Sequence, residues 1–170
     1  MNSSRKLVIA TAIALTLALS ALAPPPQAAA DDPAVSPDAA LGLWETEHTE
    51  NGWSHVEIFA RDGRYHGRLV WLSEPVYKAD DPQAGQPVVD RENPDASLRD
   101  RPLVGLEIMR DFEFDGQNKW VDGRIYDPES GKEYRCKITL KDPDTLEIFG
   151  YVKLGFAKLG RNSLWKRVKE

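Results

Sequence analysis

The sequence predicts an all-β domain, in the form of a single antiparallel up-and-down barrel of about eight strands. Short runs of β-type composition follow one another at fairly regular spacing after residue 40, and turn signals separate them. No helical periodicity of useful length occurs after residue 30. Glycines lie inside several of the runs, as expected where strands bend to close a barrel. A β-sandwich is the alternative arrangement of the same strands.

The composition is that of a globular protein and argues against two classes of protein, disordered proteins and nucleic-acid-binding proteins. Hydrophobic residues make up 41% of the 170-residue chain, which argues against a wholly disordered protein. The net charge of −5 offers nucleic acid no attraction, so we expect no nucleic-acid partner. The single cysteine, Cys136, cannot form an internal disulfide, and no Cys/His spacing predicts a zinc site.

Residues 1–30 have the pattern of a secretory signal peptide. Arg5 and Lys6 precede 17 residues without a charge, 7–23, and a small-residue cleavage site ends at Ala30. An uncleaved anchor is the alternative, because 17 residues lies at the lower edge of what spans a bilayer. We expect cleavage near Ala30, a periplasmic or secreted location and no membrane anchor afterwards.

Residues 31–40 follow this segment and show no periodic pattern, so a flexible N-terminal tail is predicted there. The barrel domain is predicted to occupy residues 41–170. Removal of residues 1–30 takes away two cations and no acids, which leaves a net charge of −7.

The predicted strands are separated by residues that favour tight turns. Asn51-Gly52, Asp62-Gly63 and Asp115-Gly116 tolerate the positive φ that hairpin turns need. The predicted strands are Leu41–Glu47, Trp53–Arg61, Arg64–Leu72, Leu103–Phe114, Lys119–Asp127, Lys132–Lys141, Thr145–Lys153 and Asn162–Val168.

The turn at Asp62-Gly63 sets the register of the second and third strands. With a two-residue turn, Tyr65 and Trp71 fall on the mostly apolar inner face. Glu57 lies opposite Arg68 on the polar outer face, where opposite charges across a strand pair are favourable. We expect the inner face to line the barrel.

The fourth and fifth strands direct an arginine inward. With Asp115–Asn118 as the loop, the register that buries the apolar residues places Arg110 opposite Gly123. An inward guanidinium can bind a ligand carboxylate or phosphate. The alternative is that Arg110 reaches water from the strand end. Across the next loop, 128–131, the same reasoning turns Tyr134 inward.

The connection from Ser73 to Arg101 is long for a compact domain and contains four prolines. Asn93-Pro94 is a helix-start signal and predicts a short helix over residues 94–100. We expect the connection to lie across the open mouth of the barrel as a lid. Asp90, Asn93 and Asp95 offer oxygen ligands for calcium, but helix capping explains them, and no metal site is predicted.

Six spaced motifs occur in one order between residues 42 and 165. They are Gly42-Leu43-Trp44, His66–Leu72, Asp90-x-x-Asn93-Pro94, Leu98–Gly105, Gly123–Tyr134 and Trp165. Together they resemble the bacterial exported family catalogued as domain of unknown function 2147, over about Gly42 to Val168. The resemblance implies a lipocalin-like, calycin-type barrel and a periplasmic or secreted location. It implies no established activity and no catalytic residue.

The first strand also resembles the Gly-x-Trp motif of lipocalins. In lipocalins an arginine near the last strand packs across that tryptophan at the closed end of the barrel. The resemblance implies a structural role for Gly42, Trp44 and Arg167, with a cation–π contact worth about 0.5–2 kcal/mol.

Enzymatic chemistry has little support in the sequence. His48, His55 and His66 are the only histidines, and the register places the last two on the outer face. No Gly-x-Ser-x-Gly elbow and no glycine-rich phosphate loop occurs. We expect neither an enzyme nor a cofactor.

The predicted function is binding of a small hydrophobic or acidic amphipathic ligand inside the barrel. The candidate ligand-binding residues are Tyr65, Trp71, Arg110 and Tyr134. The alternative is a filled barrel that acts as a protein-interaction or envelope-stress module, with an envelope protein as partner. In that case the outer strip would carry the function, through His55, Glu57, Arg68, Arg124 and Tyr126.

Overall fold

A computed structural model describes residues 34–169 and contains a closed antiparallel barrel. Its strands are β1 Gly42–Glu45, β2 Ser54–Arg61, β3 Arg64–Leu72, β4 Glu107–Phe114, β5 Lys119–Asp127, β6 Lys132–Asp142, β7 Thr145–Leu154 and β8 Ala157–Arg167. Each strand pairs with the next along the chain, and β8 closes the barrel against β1. The predicted up-and-down barrel is therefore confirmed. The predicted signal peptide, residues 1–30, lies outside the described residues.

The two ends of the barrel differ in what covers them. Hairpins alternate between ends in an up-and-down barrel, so the turns at 62–63, 115–118 and 143–144 share one end with the start of β1. A 3-10 helix, Pro37–Ala40, packs there, and Trp120 Nε1 donates a hydrogen bond of 3.1 Å to the Pro37 carbonyl. We call this the closed end, and the opposite end, where β7 turns into β8, the open end.

The helix at the closed end lies within the span predicted to be a flexible tail. Ala40 has no exposed surface, and Trp44 Nε1 donates to its carbonyl at 2.8 Å. Ser36 caps the helix by accepting a hydrogen bond from the Asp38 amide at 3.2 Å. The chain from Pro37 onward is thus a packed part of the barrel, because its carbonyl groups satisfy indole donors that the interior would otherwise leave unpaired.

Large side chains fill the interior near the closed end. Trp44, Trp120 and Phe112 have no exposed surface. A Cβ added at Gly123 would overlap the Phe112 ring, so this glycine provides the space that the ring occupies. The closed half of the barrel is a packed core, as expected for a small barrel whose interior side chains meet.

The predicted inward orientation of Arg110 is wrong. Arg110 pairs with Arg124 on the outer wall, and its guanidinium makes hydrogen bonds of 2.8 and 2.9 Å with Glu133. Asp111 and Asp122 adopt positive φ values of 66° and 59°. Each therefore adds one residue to the in-and-out alternation of its strand, as a β-bulge does. Phe112 consequently faces inward while Arg110, two residues earlier, faces outward.

The predicted inward orientation of Trp71 is also wrong, for a similar reason. The register of β2 and β3 shifts between His55 and Val56, so Val56 pairs with Leu69 but His55 pairs with Trp71. Trp71 therefore lies on the outer face, 43% exposed, with its ring 4.7 Å from that of His55. Between the turn at Asp62-Gly63 and this bulge, the pairing of β2 with β3 is the predicted one.

The long connection spans residues 73–106 and is pinned to the outer wall by its second half. Asp90 has no exposed surface, and its carboxylate accepts a 2.6 Å hydrogen bond from Tyr126 on β5. The predicted helix over 94–100 is shorter: a 3-10 turn covers Ala96–Leu98, and Asp95 rather than Asn93 caps it. That the connection also lies across the open mouth as a lid stays a prediction, because the contacts of Asp90 are with the outer wall at β5.

Candidate functional site

The hairpin of β7 and β8 brings an arginine to the inner face of the open end. Gly150 pairs with Cys136, which has no exposed surface and belongs to the core. On its other side Gly150 pairs with Arg161. Residues paired across antiparallel strands share a face, so Arg161 lies on the inner face. Two positions nearer the open end, Val152 and Leu159 form the next inner pair.

The interior at the level of Gly150 is less tightly packed than at the closed end. A Cβ added at Gly150 would lie 3.6 Å from Ile125 Cγ2 and 4.0 Å from Tyr134 Cβ, which are ordinary contact distances. Ile125 and Tyr134 pair with each other and are half-buried. The open end therefore presents an apolar inner rim above a packed floor, with one cation on it.

The Arg161 guanidinium is largely available to a ligand. Its side chain is 75% exposed, and its ion pair is with Glu47 at 3.3 Å. Residues 148–169 contain no Asp or Glu, so the strand that carries Arg161 is locally basic in an acidic chain. An exposed pair of this kind is worth little by itself. An anionic group that reaches the rim therefore competes with Glu47 at small cost.

The four residues predicted to bind ligand are not brought together. Tyr65 lies at the closed end, with its ring 6.1 Å from that of Trp120. Burial, and then the Asp38 carboxylate, raise the pKa of Tyr65. Trp71 and Arg110 lie on the outer wall. Tyr134 alone among the four lies on the inner face near the open end.

Sequence reasoning missed Arg161 because it placed the start of the last strand at Asn162. The register of the β7–β8 hairpin contained the missing signal. A turn at Gly155-Phe156 pairs Leu154 with Ala157, and the same register pairs Gly150 with Arg161.

Gly42, Trp44 and Arg167 meet at the closed end. The Arg167 guanidinium carbon lies 4.1 Å from the centre of the Trp44 ring. Its nitrogens donate to the carbonyls of Leu41 at 2.9 Å and Ala39 at 2.7 Å. Gly42 has a φ of 114°, and a Cβ there would lie 3.2 Å from Arg167 Nη1, so glycine suits both the backbone and the approach of the arginine. These three residues join the first and last strands.

A cavity of about 370 Å³ lies between the long connection and the outer wall. The four charged residues that line it are already paired within the protein. Arg101 is paired with Asp90, Glu107 with Arg61, and Arg110 with Glu133. The cations of this cavity are also less accessible than the one at the rim, since Arg101 and Arg110 are 37% and 47% exposed and Arg161 is 75% exposed.

The one cysteine is a buried, protonated thiol rather than a group at the rim. Burial raises the pKa of the Cys136 thiol to about 12, so the thiol stays protonated at neutral pH. Within residues 34–169 no group of three or more His, Cys, Asp or Glu side chains is placed to hold a metal ion. Over the same residues, no helix has the length and apolar character needed to cross a membrane.

Comparison with known proteins adds a family and a fold. A family model described as "Uncharacterized protein conserved in bacteria (DUF2147)" matches residues 42–167. Among solved structures, the chain is similar to protein HP1028 from Helicobacter pylori, which is described as belonging to the lipocalin family. The two share 23% identity with a TM-score of 0.63, over 76% of this chain and 83% of that one. This likeness shows a lipocalin-like fold. No match was found among the curated proteins.

Proposed function

The chain belongs to the bacterial family DUF2147, and we propose that it is an exported protein that binds one small hydrophobic or amphipathic molecule at the open end of its barrel. Barrels of this size either fill their interior with side chains or hold a single small ligand. In this barrel the closed half is filled and the rim is not. The proposed role is binding without catalysis.

The pairing of Arg161 with Gly150 on the inner face is the observation that carries this proposal. Ligand sites are mainly apolar and contain a few polar groups that orient the ligand. The rim supplies apolar surface from Ile125, Val152 and Leu159, and Arg161 supplies the polar group. A guanidinium binds carboxylate and phosphate groups by charge-assisted hydrogen bonds. The ligand class that fits is an acyl chain with an acidic head.

We also propose a periplasmic or secreted location after cleavage near Ala30. The support is the sequence of residues 1–30, in which two cations, an uncharged apolar run and three alanines occur in order. Intact mass measurement of the exported protein tests this, with an N-terminus at Asp31 expected. A protein that retains Met1 and the apolar run would contradict cleavage.

Native mass spectrometry of the exported protein, purified without detergent, tests ligand binding directly. We expect an added mass that is lost on denaturation, or a shift when fatty acids are supplied. A clean mass that does not change with a mixture of fatty acids and phospholipids would overturn the proposal.

Replacement of Arg161 tests whether the rim recognises the acidic head of a ligand or binds only its hydrophobic chain. Arg161→Ala is expected to weaken fatty-acid affinity about tenfold, since one charge-assisted interaction is lost. Arg161→Lys should retain part of the affinity because the charge remains. Arg110→Ala is the matched control, since that arginine lies on the outer wall with Glu133. Equal weakening by Arg161→Ala and Arg110→Ala would rule out the assigned role of Arg161.

The packed closed half supports a second candidate function, a protein-interaction or envelope-stress module that uses the outer face. On that face Glu57 and Arg68 form an exposed ion pair at 2.7 Å. Trp71 lies beside His55 on the same side of the sheet. Reversal of both charges in the Glu57–Arg68 pair should weaken capture of an envelope protein and leave any ligand mass unchanged. Unchanged capture would count against this face.

A further inference from the structure

The tip of the β7–β8 hairpin is not paired with the strands on either side of it. Pairing of β7 with β6 ends at Tyr151, opposite Arg135. Pairing of β8 with β1 is confined to Lys166 and Arg167. Residues 152–159 therefore pair only with each other among the described residues. We call this segment the hairpin tip.

The hairpin tip exposes more apolar surface than a solvated turn needs. Phe156 is fully exposed, and Leu154 and Leu159 are 73% and 68% exposed. Val152 adds a half-exposed side chain to the same short segment. Each apolar side chain left in water forgoes the stabilisation that burial would supply. Single apolar residues scattered over a surface are normal, whereas a cluster of this kind marks an interaction surface.

The charges on the hairpin tip are all positive. Lys153 and Lys158 lie directly opposite each other across the hairpin. Like charges at opposed positions destabilise a strand pair, and residues 148–169 offer no acidic side chain to offset them. A negatively charged partner would remove this repulsion. The chain as a whole carries a net charge of −5, so the basic tip is a local feature.

We propose that the hairpin tip attaches the open end of the barrel to the surface of an anionic lipid bilayer. Phe156 and Leu154 enter the boundary between head groups and acyl chains, while the lysine ammonium groups stay at the level of the phosphates. Lipid supplies both properties that the tip lacks, an apolar medium and a layer of negative charge. The contact is shallow, because the unpaired edges of the tip must keep their backbone groups in water.

This inference goes beyond the proposed function and does not require it. A second copy of the chain is a poorer occupant, since two tips placed together would bring four lysines into proximity. If both proposals hold, the rim with Arg161 faces the bilayer from which an amphipathic ligand would come. The hairpin then serves as the attachment, and the rim as the binding site.

Vesicle flotation of the exported protein tests the attachment. The probes are vesicles of phosphatidylglycerol with phosphatidylethanolamine, and neutral vesicles of phosphatidylcholine. We expect the protein to float with the anionic vesicles and not with the neutral ones, and added salt should release it. The double variant Leu154→Ser with Phe156→Ser, and the double variant Lys153→Glu with Lys158→Glu, should each lower the bound fraction at least tenfold.

Two matched variants control for general changes of surface. Leu164→Ser alters an apolar side chain of β8 that is 49% exposed but lies outside the tip. Lys141→Glu alters an exposed lysine near the closed end. Both should float like the unaltered protein. Because every variant has the same N-terminus, any lipid affinity of that segment is common to all of them.

Three outcomes would overturn the proposal. One is an absence of flotation with anionic vesicles, and another is flotation that the tip variants leave unchanged. The third is a dimer in solution that the Phe156→Ser change dissociates, which would assign the tip to a second copy of the chain. None of these results affects the fatty-acid mass measurement, so failure of the attachment can be told apart from failure of ligand binding.

Discussion

Among single residues, Asp90 determines how the long connection is held. Its carboxylate accepts hydrogen bonds from Tyr126 at 2.6 Å, Asn93 at 2.7 Å and Arg101 at 2.9 Å. A carboxylate without exposed surface is stable only when such donors replace water. Asn93 and Arg101 belong to the connection itself and Tyr126 belongs to β5, so this one residue ties the connection to that strand.

Tyr126→Phe removes one donor from this carboxylate without changing the shape of the ring. We expect the free energy of unfolding to fall by about 1–3 kcal/mol, since a buried acceptor loses a partner. Urea denaturation measures the change. Tyr151→Phe is the control, because Tyr151 is more buried than Tyr126 and its hydroxyl makes no hydrogen bond with the described residues. An equal loss in both variants would contradict the role of the Asp90 contact.

The same tyrosine predicts an alkaline dependence of stability. Burial and the Asp90 carboxylate raise the pKa of Tyr126 from its ordinary value of 10 to about 12. The folded state therefore binds this proton more tightly than the unfolded state. The resulting stability is fully present below pH 10 and is lost as the pH rises through 12. Tyr126→Phe should lose less stability across that window, and parallel losses in urea titrations would contradict the assignment.

At the scale of elements, two paired bulges shape the wall formed by β4 and β5. Asp111 and Asp122 both have positive φ, a conformation that aspartate tolerates better than most residues. The bulges turn Phe112 into the interior, against Gly123. They also place Arg110 beside Glu133 on the surface, where an ion pair contributes only about 0–1 kcal/mol.

Gly123→Ala tests whether this packing depends on the missing side chain. An added methyl group would overlap the Phe112 ring, so we expect a loss of about 1–3 kcal/mol in the free energy of unfolding. Gly150→Ala adds the same group at 3.6 Å from Ile125 and should leave stability nearly unchanged. Thermal and urea unfolding of the two variants provide the comparison. Equal effects would show that the two glycines sit in equally packed surroundings.

For the molecule as a whole, the closed end carries stability and the open end carries the proposed functions. The first and last strands share only two residue pairs, Trp44 with Arg167 and Glu45 with Lys166. Side-chain contacts of Arg167 reinforce this short seam at the closed end. At the open end β8 continues past the end of β1, which leaves Arg161 and the hairpin tip accessible.

Arg167→Ala should therefore destabilise the whole barrel. Loss of the cation–π contact and of charged hydrogen bonds to backbone carbonyls predicts a decrease of about 2–4 kcal/mol in the free energy of unfolding. Arg161→Ala removes the same side chain from the open end of the same strand and should change stability little. Differential scanning calorimetry of both variants tests the contrast. A loss at Arg161 as large as that at Arg167 would contradict this division between the ends.

The sequence alone determined the eight strands, their order and the registers next to two of the tight turns. The turn residues at Asp62-Gly63 pair Glu57 with Arg68, as predicted. The family followed from motifs spread over the domain, and the family model matches residues 42–167. These features are local, because a tight turn and an alternating apolar pattern act on neighbouring residues and fix pairing without knowledge of the rest of the fold.

Only the tertiary structure decided which side chains share a face beyond each bulge. One added residue reverses the face of everything that follows it, so Trp71 and Arg110 were placed inside by a regular register and lie outside in the barrel. The position of Arg161 depended likewise on how far β8 continues. Bulges and strand ends arise from long-range packing, such as that of Phe112 against Gly123. The pattern of hydrophobic residues along a single strand does not contain information about such packing.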